Sequence, residues 1–250
     1  MNTTPRLRMF AGPNGSGKST IKNVISPALL GIYINPDDIE ETLKTCGSLD
    51  LSLYQVTTSI DDVQSFMSAS PLLAKANLLP ALGQISCVDN TLNFSAIEIN
   101  SYWASVIADF LRHKLLDAGL SFTFETVMSS PDKVAFLRKA QDKGFRTYLY
   151  YVATEDPEIN ISRIAYRVRC GGHSVPRDKI IARYHRSLDL LLHAVNCSNR
   201  AYLFDNSGVE QVWVAEITDG IELNIKTDEI PYWFKTAIWD KIALDDPLQD

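Results

Sequence analysis

The segment GPNGSGKS, Gly12 to Ser19, has the residue types and spacing of a loop that wraps a phosphate chain. It fits G-x-x-x-x-G-K-[ST] at every defined position. It also lies between an apolar strand-like run, RLRMFAG (6–12), and a helix-like run, KSTIKNVISPAL (18–29). Glycines at 12, 15 and 17 let successive backbone N–H groups turn toward one anion, and a helix behind them adds the positive end of its dipole. Lys18 is expected to reach the terminal phosphates, the Ser19 hydroxyl to ligate Mg²⁺, and Thr20 to meet the first phosphate. The expected nucleotide-binding set is Gly12, Pro13, Asn14, Gly15, Ser16, Gly17, Lys18, Ser19 and Thr20, which implies ATP or GTP as ligand.

Two carboxylates could serve the same chemistry. INPDD (34–38) and FTFETV (122–127) place Asp37 and Glu125 at the ends of strand-like runs. In an open parallel sheet those ends form the binding crevice. Transfer of a phosphoryl group to a hydroxyl needs an acid to orient or deprotonate that hydroxyl, and Asp37 suits this. For Asp37 a capping role on the following helix is an equal alternative, shared with Asp38. Glu125, at the end of an apolar strand, needs a partner to offset its desolvation; its expected task is holding metal-bound water or substrate hydroxyls.

The third element of the chemistry is cationic. SRIAYRVRCGGHSVPRDKIIARYHRSLDLL (162–191) concentrates Arg163, Arg167, Arg169, Arg177, Arg183 and Arg186 in a chain of net charge −6. Arg163 and Arg167 share a helix face at i,i+4, and Arg183 and Arg186 at i,i+3. A helical lid could carry such cations onto a transferring phosphoryl group. Arg169 and Arg177 read as solvated. CGGHSVPRDK (170–179) reads as the turn between two helices, with a glycine cap and Pro176 opening the second helix. It is also the expected tip of the arginine-bearing lid, where glycine would let the chain approach the phosphates.

The elements that must position these residues follow from periodicity. Strands are expected at 6–12, 31–37, 121–127, 145–154 and 200–208, the fourth with both faces buried. VWVAEIT and IELNIK read as a hairpin or as paired edge strands. Helices are expected at 18–29, 99–119, 130–144, 157–170, 176–196 and 231–242, with Tyr102, Val106, Phe110, Leu111 and Leu115 on the core face of the second. Residues 45–97 read as mostly short helices. Strands alternating with helices imply an α/β fold, a P-loop NTPase or kinase-like parallel sheet covered on both faces. The expected organisation is one domain over 1–250, with a mainly helical insertion at 45–97 and lid helices at 157–196.

Composition narrows the classes. A 46% apolar, 22% charged chain can bury a full core. Net negative charge without a basic block disfavours nucleic acid and membrane surfaces as partners. Four scattered cysteines (Cys46, Cys87, Cys170, Cys197) and no signal-like or membrane-spanning run point to a reducing, cytoplasmic setting. LSGGQ and N-K-x-D are absent from the sequence, and no apolar strand ends in paired acids as in a motor ATPase; INPDD and FTFETV carry acids at the ends of strands too short and polar for that motif.

Taken together, GPNGSGKST, INPDD, FTFETVMSS, RIAYRVRCGGHSVPRDKIIARYHRSL and FDNSG resemble the zeta-toxin-like P-loop kinases. The resemblance implies an ATP- and Mg²⁺-dependent kinase acting on a sugar hydroxyl of UDP-N-acetylglucosamine. Another nucleotide-like acceptor, or an ATP-gated binding module, is the alternative. Lys18 and Ser19 match the phosphate and Mg²⁺ residues, Asp37 the catalytic base, and Glu125, with Thr126 beside it, the substrate-contacting acid. Arg163 or Arg167 matches an arginine that stabilises the transferred phosphate. A second lid arginine falls first on Arg183, with Arg177 and His173 behind it; His173 is also the substrate-facing candidate of the turn. Residues 45–97 exceed the family core and could shape acceptor choice, bind an antitoxin protein, or be structural decoration.

Overall fold

A computed structural model describes residues 4–23, 25–172 and 174–244. Ten strands are formed among them: β1 Arg6–Ala11, β2 Ile32–Ile34, β3 Ser48–Asp50, β4 Ser86–Val88, β5 Thr91–Asn93, β6 Phe122–Thr126, β7 Arg146–Ala153, β8 Arg200–Asp205, β9 Val212–Thr218 and β10 Glu222–Ile225. The chain divides into two compact units, residues 1–30 with 125–250, and residues 31–124.

In the first unit the strands run in the order β10-β9-β8-β7-β1. β1, β7 and β8 are parallel, in a register that aligns Met9 with Leu149 and Leu149 with Ala201. β9 and β10 close the edge as the expected antiparallel hairpin. Leu7, Met9, Leu149, Tyr151, Ala201 and Leu203 are buried, so one sheet face is core throughout. The opposite face differs from expectation. β7 alternates over its first six residues and is buried on both faces only at Tyr151–Ala153. Half-buried Tyr148 and Tyr150 line that face. The Tyr150 ring stacks on Tyr202 at 4.8 Å, and Arg8 lies over Tyr148 at 5.2 Å. Tyrosine suits such a surface because its ring packs while its hydroxyl can meet a polar partner, as that of Tyr150 meets Arg8.

Three expected helices are shorter or broken. Lys18–Asn23 is a 3₁₀ turn, and α-helical geometry returns only at Pro27–Leu30. Pro27 has no N–H to continue a ladder and disfavours helix at Ser26 before it. The 176–196 helix splits into Arg177–Asp189 and Leu191–Asn196 at Leu190. The closing helix runs Tyr232–Phe234, then a π-helical stretch at Lys235–Trp239, then Asp240–Leu244. Helix Pro131–Asp142 forms as expected, although Ser130 bonds Asp132 instead of a backbone N–H.

The second unit pairs β2 in parallel with Phe122–Phe124 of β6. Helix Ser101–Asp117 buries Val106, Phe110, Leu111 and Leu115 as its spacing predicts. Tyr102 is 39% exposed, and Trp103 takes the core place instead. Residues 45–97 hold helices Ile60–Ser68 and Pro71–Lys75, as the sequence suggests, together with a three-stranded antiparallel sheet in the order β3-β5-β4. Three-residue strands carry too little alternation to be read beforehand. No helix among the described residues is long and apolar enough to cross a membrane.

Candidate functional site

The phosphate loop begins where β1 ends. Gly12 leaves the sheet with φ +143, pressed so close to β7 that an added Cβ would stand 2.1 Å from the Val152 carbonyl oxygen. The Ser16 N–H donates to the Pro13 carbonyl (3.2 Å) and closes the turn. Lys18 folds back over it, its Nζ donating to the Gly12 and Pro13 carbonyls at 2.9 and 3.0 Å. Thr20 Oγ1 donates to the Gly17 carbonyl (2.6 Å), with Gln211 Oε1 at 3.4 Å, and the Ser19 residue is exposed. Because only a short 3₁₀ turn follows, the expected dipole of a long helix does not assist here. Anion attraction at this loop rests on its N–H groups and Lys18.

A second segment packs against the loop and comes from the end of β8. Asp205 accepts from the Ser207 N–H (2.9 Å), the Ser207 hydroxyl (2.8 Å) and the indole N–H of buried Trp233 (2.7 Å). Ser207 Oγ in turn accepts from the Glu155 N–H at 2.8 Å. Held between these anchors, Asn206 donates Nδ2 to the Ser16 carbonyl at 2.7 Å. FDNSG holds one of the residues that meet the loop, Asn206, and Gln211 follows it; neither carries a spacing signal of its own.

The arginine helices stand beside both segments. Helix Pro157–Arg169 is capped by Asp156, which accepts from the Glu158 N–H at 2.7 Å. It buries Asn160 and Ile164. Arg163 Nη2 donates to the Gly208 carbonyl at 3.3 Å. Arg167 is exposed, and its stem packs on the turn, where a Cβ at Gly172 would lie 2.7 Å from its Cγ. Helix Arg177–Asp189 buries Ile180, Tyr184 and Ser187. Tyr184 OH donates to the Thr154 carbonyl (2.6 Å), and Ser187 Oγ to the Val127 carbonyl (2.8 Å). Burial, then the charges of Glu155, Asp156 and Asp205, pushes the Tyr184 phenol well above its usual range, so it stays a donor. That anchorage presents Arg183, whose Nη1 reaches Asn14 Oδ1 at 3.4 Å. Arg177 pairs with Glu158 between the two helices; both are exposed, so the pair adds at most about 1 kcal/mol.

The turn between these helices is a Schellman cap. The Gly172 N–H donates to the Arg167 carbonyl (2.9 Å) and the Gly171 N–H to that of Val168 (3.0 Å), with Gly171 at φ +91. Pro176 occupies the N-cap position, one residue before its expected place inside the helix. The expectation placed on His173 lies outside the described residues.

The carboxylates divide. Glu125 is buried in β6, 8% exposed, and Thr126 next to it accepts from the Met128 N–H at 3.1 Å. Asp37 lies in the second unit. There β2 stops at Ile34, and Asn35 caps helix Pro36–Cys46 by accepting from the Asp37 N–H at 3.0 Å. Asp37 and Asp38 therefore sit exposed in the first helical turn, neither at a strand end nor at the cap. A proline at the first helical position and an asparagine before it account for the early start.

Several polar atoms around the loop are buried without a protein partner: Ser16 Oγ, Asn160 Nδ2, Arg163 Nη1 and Gln211 Nε2. All four can donate, a set suited to an oxygen-rich ligand. Mg²⁺ usually keeps several waters and takes substrate phosphate oxygens, so one hydroxyl, that of Ser19, fits its needs.

Fold and loop together define an α/β protein with a P-loop kinase-like fold. Residues 95–211, just under half of the chain, match the family model described as Zeta toxin. The matched span holds Glu125, the arginine helices and Asn206, and leaves out the phosphate loop and Asp37. Over its whole length the chain resembles a chain of the AvrRxo1-ORF1:AvrRxo1-ORF2 crystal structure with sulphate ions, at TM-score 0.54, 16% identity and 67% coverage of that chain. The ATP-containing crystal structure of AvrRxo1-ORF1:-ORF2 gives TM-score 0.52 and 16% identity, covering 96% of this chain and 64% of that one. At such identities the likeness is one of fold. An uncharacterized protein of Haemophilus influenzae is 31% identical over 74 residues, 30% of this chain. The chain spans 53% of that curated relative's length.

Proposed function

We propose that this protein transfers a phosphoryl group from ATP to a hydroxyl of a small molecule, with UDP-N-acetylglucosamine the first acceptor to test. One observation carries the reading. Within a single compact unit, a complete phosphate loop is met by Arg183 on Asn14 and flanked by Arg163 on the 205–211 segment. A loop of N–H groups binds phosphates, and arginines brought onto it neutralise charge that develops during transfer.

In this reading Gly12–Thr20 hold the phosphates, with Lys18 leaving its loop carbonyls for the terminal phosphate. Ser19 would hold Mg²⁺, which supplies charge neutralisation. Arg183, with Arg163 or Arg167, stabilises the transferred group. Asp37, by its match to the family's base, takes the acceptor hydroxyl's proton, while Glu125 and Thr126 position the acceptor. ATP as the donor is supported by the loop and by likeness to a fold crystallised with ATP. A cytoplasmic site of action and an antitoxin partner belong to the same reading.

The test is to incubate the protein with Mg-ATP and UDP-N-acetylglucosamine and to follow phosphorylated sugar nucleotide by mass. Transfer that disappears in Asp37→Asn, with the fold kept, supports the assignment. Full activity in Asp37→Asn removes Asp37 as the base. ATP hydrolysed without any phosphorylated acceptor favours a nucleotide-gated switch instead.

A further inference from the structure

We infer that Asn206 is a positioning residue for the phosphate loop: it fixes the peptide between Ser16 and Gly17 so that the Gly17 N–H is aimed for a phosphate oxygen. The inference rests on the nucleotide-binding reading above and adds a residue to it.

Three observations converge. The Asn206 Nδ2 donates to the Ser16 carbonyl at 2.7 Å, across 190 residues of sequence. A trans peptide is planar, with its C=O and N–H on opposite sides, and no described peptide is cis. Holding the Ser16 carbonyl therefore turns the Gly17 N–H away from Asn206. Second, the amide also guards the conformation. Gly17 stands at φ +95, and a Cβ there would fall 2.2 Å from Asn206 Nδ2, so any other residue at 17 must push the amide off the Ser16 carbonyl. Third, Asn206 is itself held. Its N–H donates to the Ala153 carbonyl at 2.8 Å, extending the β7–β8 ladder by one bond. On either side of it in sequence, Asp205 and Ser207 are tied to Trp233 and Glu155. The sheet and the closing helix thus determine where one side-chain amide sits, and that amide determines one peptide plane of the loop.

The chemical consequence is preorganisation. A loop N–H already aimed at its acceptor loses little reorganisation energy on binding, whereas a free peptide plane must be ordered at that moment. The device acts on phosphates alone and is blind to the base.

Calorimetric titration of Mg-ATP, Mg-GTP and inorganic tripolyphosphate into the wild type, Asn206→Asp and Asn206→Ala tests it. Asn206→Asp keeps the shape but sets carboxylate oxygen against the Ser16 carbonyl, and is expected to weaken ATP about tenfold or more. Asn206→Ala should lose somewhat less, because it only frees the peptide. All three ligands should weaken by one common factor, with the unfolding midpoint within about 4 °C of wild type. Affinities within twofold of wild type in both variants would overturn the inference. A loss confined to one nucleoside triphosphate, or one that follows a collapsed unfolding midpoint, would do the same. If the unsubstituted protein binds none of the three ligands, the nucleotide reading beneath it fails instead.

Discussion

Two glycine turns carry the chain past the arginine helices, and they need glycine for different reasons. At Gly12 the need is tertiary. The missing Cβ would lie 2.1 Å from a backbone oxygen of β7, an atom that cannot move without disturbing the central ladder. At Gly171 the need is local. Its φ is +91, yet a Cβ there would meet nothing within 4 Å. The first loop is shaped by everything packed around it, from Val152 to Asn206. The second is a helix cap that would form in most surroundings. Both are glycine-rich to the eye, but only the first has its shape imposed by the fold around it.

Substitutions sharpen this contrast. The largest effect is expected from Gly12→Ala, where overpacking against backbone should destabilise the protein by about 3 kcal/mol; a denaturant titration measures it. A loss below about 1 kcal/mol would mean that β7 gives way and that the contrast fails. Gly17→Ala comes next, since the atom it meets belongs to a side chain. Combined with Asn206→Ala, part of the lost stability should return, a coupling that a double-mutant cycle reads directly. Gly171→Ala should cost about 1–2 kcal/mol from backbone strain alone, and Gly171→Asn less, because asparagine tolerates the left-handed region. If Gly171→Asn instead abolishes nucleotide turnover at unchanged stability, the turn is more than a cap.

The smallest effect concerns pH. Burial is the leading cause that raises the phenols of Tyr151 and Tyr184 above their usual range. In the unfolded chain they ionise near pH 10, while in the folded protein they stay neutral to higher pH. The stability they contribute is thus whole below about pH 10 and is lost as pH rises from there through the folded values. Unfolding midpoints should fall above pH 10, and less steeply in Tyr184→Phe. A Tyr184→Phe profile parallel to wild type would contradict this.

Much of the site was legible because its chemistry is local in sequence. The phosphate loop needs its glycines, lysine and serine in fixed order, and its strand sits where the apolar run predicts. The arginine helices were legible through charge and spacing, as was the glycine cap between them. Asp37 was expected at a strand end but lies in a helical turn, because Asn35 caps the helix and Pro36 opens it. The helix expected at 18–29 is interrupted before Pro27, and nothing in the structure explains the 3₁₀ geometry of Lys18–Asn23. Asn206, Gln211 and Thr154 were invisible in role, since their meaning lies in contacts across 190, 191 and 30 residues of chain. The sheet β3-β5-β4 escaped for a different reason: three residues are too few to display a period.

The central claim is that this loop delivers a phosphoryl group to an organic hydroxyl. The most direct measurement is to incubate the protein with ATP labelled in its terminal phosphate, Mg²⁺ and a metabolite extract, and to separate the products. The account predicts label in an organic acceptor, absent with Lys18→Ala. Label recovered only as inorganic phosphate, or transfer undiminished in Lys18→Ala, would contradict it.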